Sequence, residues 1–180
     1  MKPLPVIVLV ASMGLLVCGL TGCHADPSEG YSFASQYPED VRTISVPVWT
    51  RGRDVYRRGL EMRLTEAIVK RIELDTPYKV VPASRADTQL TGRIESIRQD
   101  ELSFNPDTGL PRELQITMSV SFLWKDLRPN TKSVRVQRKS YPVVATYVPA
   151  GPLNENFFQG SEDLVNELAR RIVEELQRQH

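Results

Sequence analysis

Apolar and polar residues alternate along this chain with two different periods, preceded by one long apolar block. The block comes first. Leu4 to Val17 is almost unbroken apolar sequence, behind a single charge at Lys2 and ahead of Leu20-Thr21-Gly22-Cys23. A positive n-region, an apolar h-region and a small residue at the boundary predict a signal segment over residues 1–22. An uncleaved membrane helix is the alternative reading, because Leu4 to Leu20 spans 17 residues, the bottom of the spanning range. His24 to Gly30 is short and polar, which predicts a tether.

Period-two alternation begins at residue 42. Ile44, Val46 and Val48 alternate with Thr43, Ser45 and Pro47, predicting a strand over 42–49. Pro47 cannot donate to a ladder, so the strand is expected near a sheet edge. The period then changes. Asp54 is placed to cap a helix from Val55 to Leu74, with Leu60, Leu64, Ala67, Ile68 and Ile72 on one stripe and Thr76-Pro77 as its end. Tyr78 to Val81 reads as a short strand, and Pro82 to Ala86 as a turn.

Two long strands follow. One runs from Thr88 to Leu102 with Leu90, Gly92 and Ile94 in phase; Ile97 falls out of phase, which predicts a bulge near Ser96. Asn105-Pro106-Asp107-Thr108-Gly109 carries turn chemistry. In the return strand Leu114, Ile116, Met118, Val120, Phe122 and Trp124 alternate with Gln115, Thr117, Ser119, Ser121, Leu123 and Lys125. A last strand holds Val134 and Val136, breaks phase at Ser140 to Pro142 and resumes near Val143. Ser161 is then expected to cap a final helix, with Glu162 and Asp163 in its first turn and a wide apolar face from Leu164 to Leu176.

Each helix would be about 27 Å long at ~1.5 Å per residue, short enough to lie across one face of the hairpin strands. The prediction is an α+β two-layer sandwich: two helices packed on one face of a mostly antiparallel or mixed sheet of four to five strands. Strict alternation leaves the other face polar and uncovered by this chain, either simply wet or offered to a partner. The domain would occupy residues 41–180, with 23–40 as anchor and tether.

Composition narrows the function. Without residues 1–22 the 180-residue chain keeps 158, enough for one domain with a real core. Those residues hold 22 basic and 22 acidic side chains, a formal balance of zero that argues against a general nucleic-acid binder. The cysteines are Cys18, inside the segment expected to be removed, and Cys23 at its boundary, so no disulfide or cysteine-based metal site is expected. The two histidines are His24 and His180, both near chain ends. With no phosphate loop, nucleophile elbow or metal-ligand spacing, no enzymatic activity and no cofactor are expected.

Two basic clusters remain as candidate sites, against the alternative of ordinary solvated arginine. Arg51, Arg53, Arg57 and Arg58 bracket the start of the first predicted helix, where positive charge opposes the dipole by roughly a few tenths of a kcal/mol each. An anionic headgroup or a partner's carboxylate would offset that. Arg135, Arg138 and Lys139 form the second cluster, on the last strand.

Leu20-Thr21-Gly22-Cys23 resembles the bacterial lipoprotein signal, which implies that Cys23 is acylated and anchors the chain to a membrane through lipid. Four segments together resemble the LptE-type lipopolysaccharide-assembly lipoproteins. They are the signal with Gly30-Tyr31-Ser32-Phe33; Thr43 to Val48 with the helix bearing Gly59-Leu60-Glu61 and Leu64-Thr65-Glu66-Ala67; Tyr78-Lys79-Val80-Val81 leading to Ala86 through Ile94; and the alternating strand ending in Trp124-Lys125-Asp126. The resemblance implies a lipoprotein at the periplasmic face of the outer membrane. It also implies a large outer-membrane β-barrel as partner, and lipopolysaccharide as a possible ligand. His24 after the anchor is not the Asp that retains enteric lipoproteins in the inner membrane. An adaptor-type envelope lipoprotein of secretion channels shares the strand–helix–strand of the first half; the long 88–125 hairpin and final helix favour the lipopolysaccharide family.

Overall fold

The computed structural model describes residues 36–129, 131, 133–149 and 156–177, and the clearest alternating segment of the sequence forms its central long strand. The predicted signal segment, Cys23, His24, Tyr31, Phe33 and His180 lie outside the described residues. Strand β1 is Thr43–Ser45, β2 Thr50–Arg51, β3 Lys79–Val80, β4 Thr88–Phe104, β5 Pro111–Asp126 and β6 Val134–Tyr147. The helices are α1, Leu60–Asp75, and α2, Phe157–Glu175. The sheet order is β3-β1-β4-β5-β6, with β2 also paired to β4.

Strands β4, β5 and β6 are antiparallel neighbours, whereas β1 runs parallel to β3 and β4. On β5 Leu114, Ile116, Met118, Val120, Phe122 and Trp124 are all buried, and the residues between them, Leu123 included, are half-buried on the other face. Asn105 accepts a hydrogen bond from the Asp107 amide at 2.9 Å and Gly109 takes φ 67°, closing the β4–β5 loop with the expected turn chemistry. The bulge expected near Ser96 is the register shift between Ile94 and Ser96. The phase break at Ser140 likewise falls where Val120 and Phe122 pair with Tyr141 and Arg138.

The first strand differs from its expectation in two ways. It splits at Pro47 into β1 and β2, which raises the sheet to six strands, and β1 lies inside the sheet instead of at its edge. Pro47 falls between the two pieces, where no ladder bond is required of it. The inward phase also slips: Val48 is 62% exposed, while Trp49 is 2% exposed. Gly92 explains the slip. A Cβ there would stand 2.4 Å from the Trp49 ring, so the missing side chain is the space the indole fills. Trp49 also stacks on Phe122 at 6.3 Å, and its amide donates to Thr65 Oγ1 at 3.0 Å.

Both helix starts move as well. Helix α1 begins five residues later than Val55, behind Gly59 at φ 88° with no side-chain cap, so Asp54 does not cap it. Helix α2 begins four residues before Ser161. Asn156 caps it, accepting from the Phe158 and Gln159 amides, while the Gln159 side chain accepts from the Asn156 amide at 2.9 Å. Those contacts satisfy three otherwise orphaned donors, worth about 1 kcal/mol. Ser161 is buried just past the first turn, donating to the Phe158 carbonyl at 2.9 Å, and Glu162 and Asp163 follow it, so the first turn carries no acidic residue.

Leu64, Ile68 and Ile72 of α1 and Leu164, Leu168 and Ile172 of α2 are fully buried in one core with the inward faces of β4 and β5. This is the α+β layered sandwich expected. Among the described residues no helix is long and apolar enough to cross a membrane.

Candidate functional site: an uncovered sheet face and an arginine patch

The sheet face away from the helices is polar and knitted to itself. Ser121 Oγ donates to Glu95 at 2.5 Å, Ser119 and Ser140 hydroxyls lie 3.2 Å apart, and Arg93 sits 3.7 Å from Glu95. Small side chains at Thr117, Ser119 and Ser121 keep this face low. A depression of about 630 Å³ opens on it, lined by Val48, Thr91, Arg93, Ser121 and Lys139 among others. Its surface offers hydroxyls and charged groups, with Glu95 held between the Ser121 hydroxyl and Arg93. Among the described residues no group of His, Cys, Asp or Glu could hold a metal ion.

The four arginines of the first cluster lie close together but differ in what they touch. Arg51 is half-buried and committed locally: it lies 3.6 Å from Glu61 and donates to the Val55 carbonyl at 3.2 Å. Arg57 is exposed and stacks over the Phe157 ring, 3.4 Å from its centroid, joining the starts of the two helices. Arg53 and Arg58 are exposed. Because α1 starts at Leu60, Arg57 and Arg58 stand just ahead of its first turn, where their charge still opposes the dipole.

The second cluster does not form one patch. Arg138 is ion-paired with the buried Glu175 at the end of α2, and only Lys139 projects fully outward. Arg135 is turned into a network at the opposite end of the helices from the first cluster. There Asp126, whose side chain is 0% exposed, accepts from Arg128 Nε at 3.0 Å and Nη2 at 2.5 Å, and from Arg135 at 3.1 Å. Asp40 closes the ring by accepting from both arginines, and Arg135 lies 5.3 Å from the centre of the Trp124 ring. Arg128 above all, with Arg135, holds the Asp126 carboxyl far below the usual carboxylate range; burial opposes this and is outweighed. Arg135, then Arg128, likewise lowers Asp40. This network pins the first described residues to the β5–β6 turn.

The apolar members of the first patch carry no sequence signal. Tyr56 is 86% exposed, Phe158 64% and Met62 56%, and they border the arginines. Tyr56 and Phe158 lie in stretches read as a different element, and Met62 merely falls off the buried stripe of α1. Arg63 also belongs here, reaching Ser161 at 3.4 Å.

Residues 41–179 match the model of the LptE lipopolysaccharide-assembly family. No curated protein sequence matches. Among solved structures, a protein from Chlamydia trachomatis superposes with a TM-score of 0.53 at 15% identity, covering 76% of this chain and 96% of that one. A protein from Xanthomonas campestris gives 0.54 at 12% identity, over 76% and 84% of the two chains. Rare lipoprotein B from Shewanella oneidensis gives 0.42 at 19% identity, over 75% and 90%. The first two show a shared fold.

Proposed function

Because the chain belongs to the LptE lipopolysaccharide-assembly family, we propose that it is a non-catalytic outer-membrane lipoprotein that partners a large β-barrel at the periplasmic face. In this reading the domain helps the barrel assemble and deliver lipopolysaccharide, and Cys23 carries the acyl anchor. The observation that supports it best is the uncovered sheet face. Along β5 its side chains at Thr117, Ser119 and Ser121 are short and polar, and its charges are partly internally paired, which suits apposition to the polar lumen of an outer-membrane barrel. Arg53, Arg57, Arg58 and Lys139 are the ligand- or partner-facing cations, whereas Arg51, Arg135 and Arg138 are engaged by carboxylates of the fold itself.

Purification from detergent-solubilised outer membranes tests the partnership. A barrel of many hundred residues should co-purify in fixed stoichiometry, and a homo-oligomeric ring of this chain alone would sink the proposal. The anchor is tested separately. Several acyl chains on one residue hold a domain stably where one chain holds only marginally. Cys23→Ala should therefore move the protein from the membrane pellet to the soluble fraction. Full-length variant that stays in the pellet would show that the apolar segment, and not the lipid, holds it.

A further inference from the structure

Two depressions meet at Arg58 and Met62, which line both. One, of about 690 Å³, is bordered by Arg51, Arg53, Val48 and Tyr56. The other, of about 500 Å³, has Leu60 and Phe157 at its base and Arg57, Arg63 and Phe158 around it. Four large apolar side chains stand in solvent over this small area: Val48, Tyr56, Met62 and Phe158. The charged residues lining the two depressions are five arginines against Glu61 and Glu66, and Glu61 is already paired with Arg51.

We propose that this patch grips a polypeptide segment of a partner, one that sets carboxylates over Arg53 and Arg58 and an apolar side chain into the Phe157–Phe158 depression. Its composition separates it from a surface for lipid headgroups. Anionic lipid attracts lysine and arginine alike, yet no lysine lines either depression. Arginine, tyrosine, phenylalanine and methionine together, with lysine absent, is the make-up of protein interfaces and of their strongest anchors. The platform is also pre-formed: the Arg57 guanidinium lies over the Phe157 ring, which is itself held in the first turn of a capped helix. A preformed depression loses less entropy when a side chain enters it. The inference deepens the barrel partnership by naming where this chain is held, and rests on it only for the partner's identity.

The test places a photo-crosslinking amino acid at Met62, and separately at Phe158, in the full-length protein in its own membrane. Both side chains are exposed, so the fold is preserved, and an unchanged thermal melt verifies this. One polypeptide adduct is expected, mapping to a segment that carries Asp or Glu beside an apolar residue. Arg53→Glu with Arg58→Glu should lower adduct yield at least tenfold, and changing the mapped carboxylates to Lys should restore it. Adducts to lipid alone, or a yield unmoved by charge reversal, would overturn the proposal. An adduct to a mapped acidic segment of a protein other than a barrel supports the docking surface and removes the barrel partnership. A co-purifying barrel with no adduct from either position does the reverse.

Discussion

Val120→Asp should leave the domain unfolded, while Ser119→Asp, one residue away, should fold and melt close to the parent. Val120 is fully buried at the centre of the sheet, paired with Ile94 on β4 and Tyr141 on β6, and its side chain faces the helices. A carboxylate there loses its hydration inside an apolar cluster. Taking the proton instead still leaves a buried hydroxyl and carbonyl to satisfy, at a cost of several kcal/mol either way. Domains of this size are stable by only about 5–15 kcal/mol, and the lost valine packing adds to the deficit. Ser119 points to the uncovered face, where its hydroxyl meets Ser140 at 3.2 Å and water reaches it. Far-UV circular dichroism and limited proteolysis of the two variants read the difference directly. If both fold alike, the helices do not cover the face that carries Val120.

That one-residue contrast also marks what was legible in the chain. A strand with one buried face writes its register into alternate residues, and β5 does so over twelve positions. Amphipathic helices do the same at their own period, so both helices and the layer they form were readable. Their starts were not. Asp54 and Ser161 have the right chemistry for caps, but the tertiary core selects among candidates. Gly59 and Asn156 stand where Leu60 and Phe157 must enter that core, and they became the caps instead. Trp49 shows a second limit. Its burial depends on the side chain absent from Gly92, which lies 43 positions further along the chain. No local pattern carries that. The candidate site divides in the same way. The arginines of residues 51–58 are consecutive enough to be noticed together, whereas Met62 and Phe158 join them only through folding. Arg135 looked like their equal in sequence, yet its partners are Asp126 and Asp40, the latter 95 residues away.

Asp126→Ala should be the most damaging change to any charged residue of the domain, and its effect should depend on pH. The variant removes the acceptor that satisfies the Arg128 guanidinium through two bonds, its backbone amide through a third and Arg135 through a fourth, leaving Arg135 packed beside Trp124 with Asp40 alone. Breaking a buried pair from one side costs about 3–5 kcal/mol, and Arg128 reaches solvent, which places this case near 3 kcal/mol. For a domain of this size that lowers the melting temperature by roughly 6–12 °C at neutral pH. The direction with pH follows from the depressed carboxyls. Asp126 and Asp40 both sit below their ordinary value of 3.8 in the folded chain, so in acid the unfolded chain binds the extra protons. Their stabilisation is complete only well above that value and is lost as the pH falls, beginning near about pH 5. Glu167, held at about 2 chiefly by Arg170, adds to the same acid sensitivity and survives in the variant. Urea unfolding followed from pH 7 to pH 3 should therefore show the parent losing stability steeply and Asp126→Ala losing it less steeply, the two curves converging toward the acid end. Parallel curves would mean that Asp126 titrates in the folded chain as it does in the unfolded one, and that Arg128 and Arg135 do not hold it.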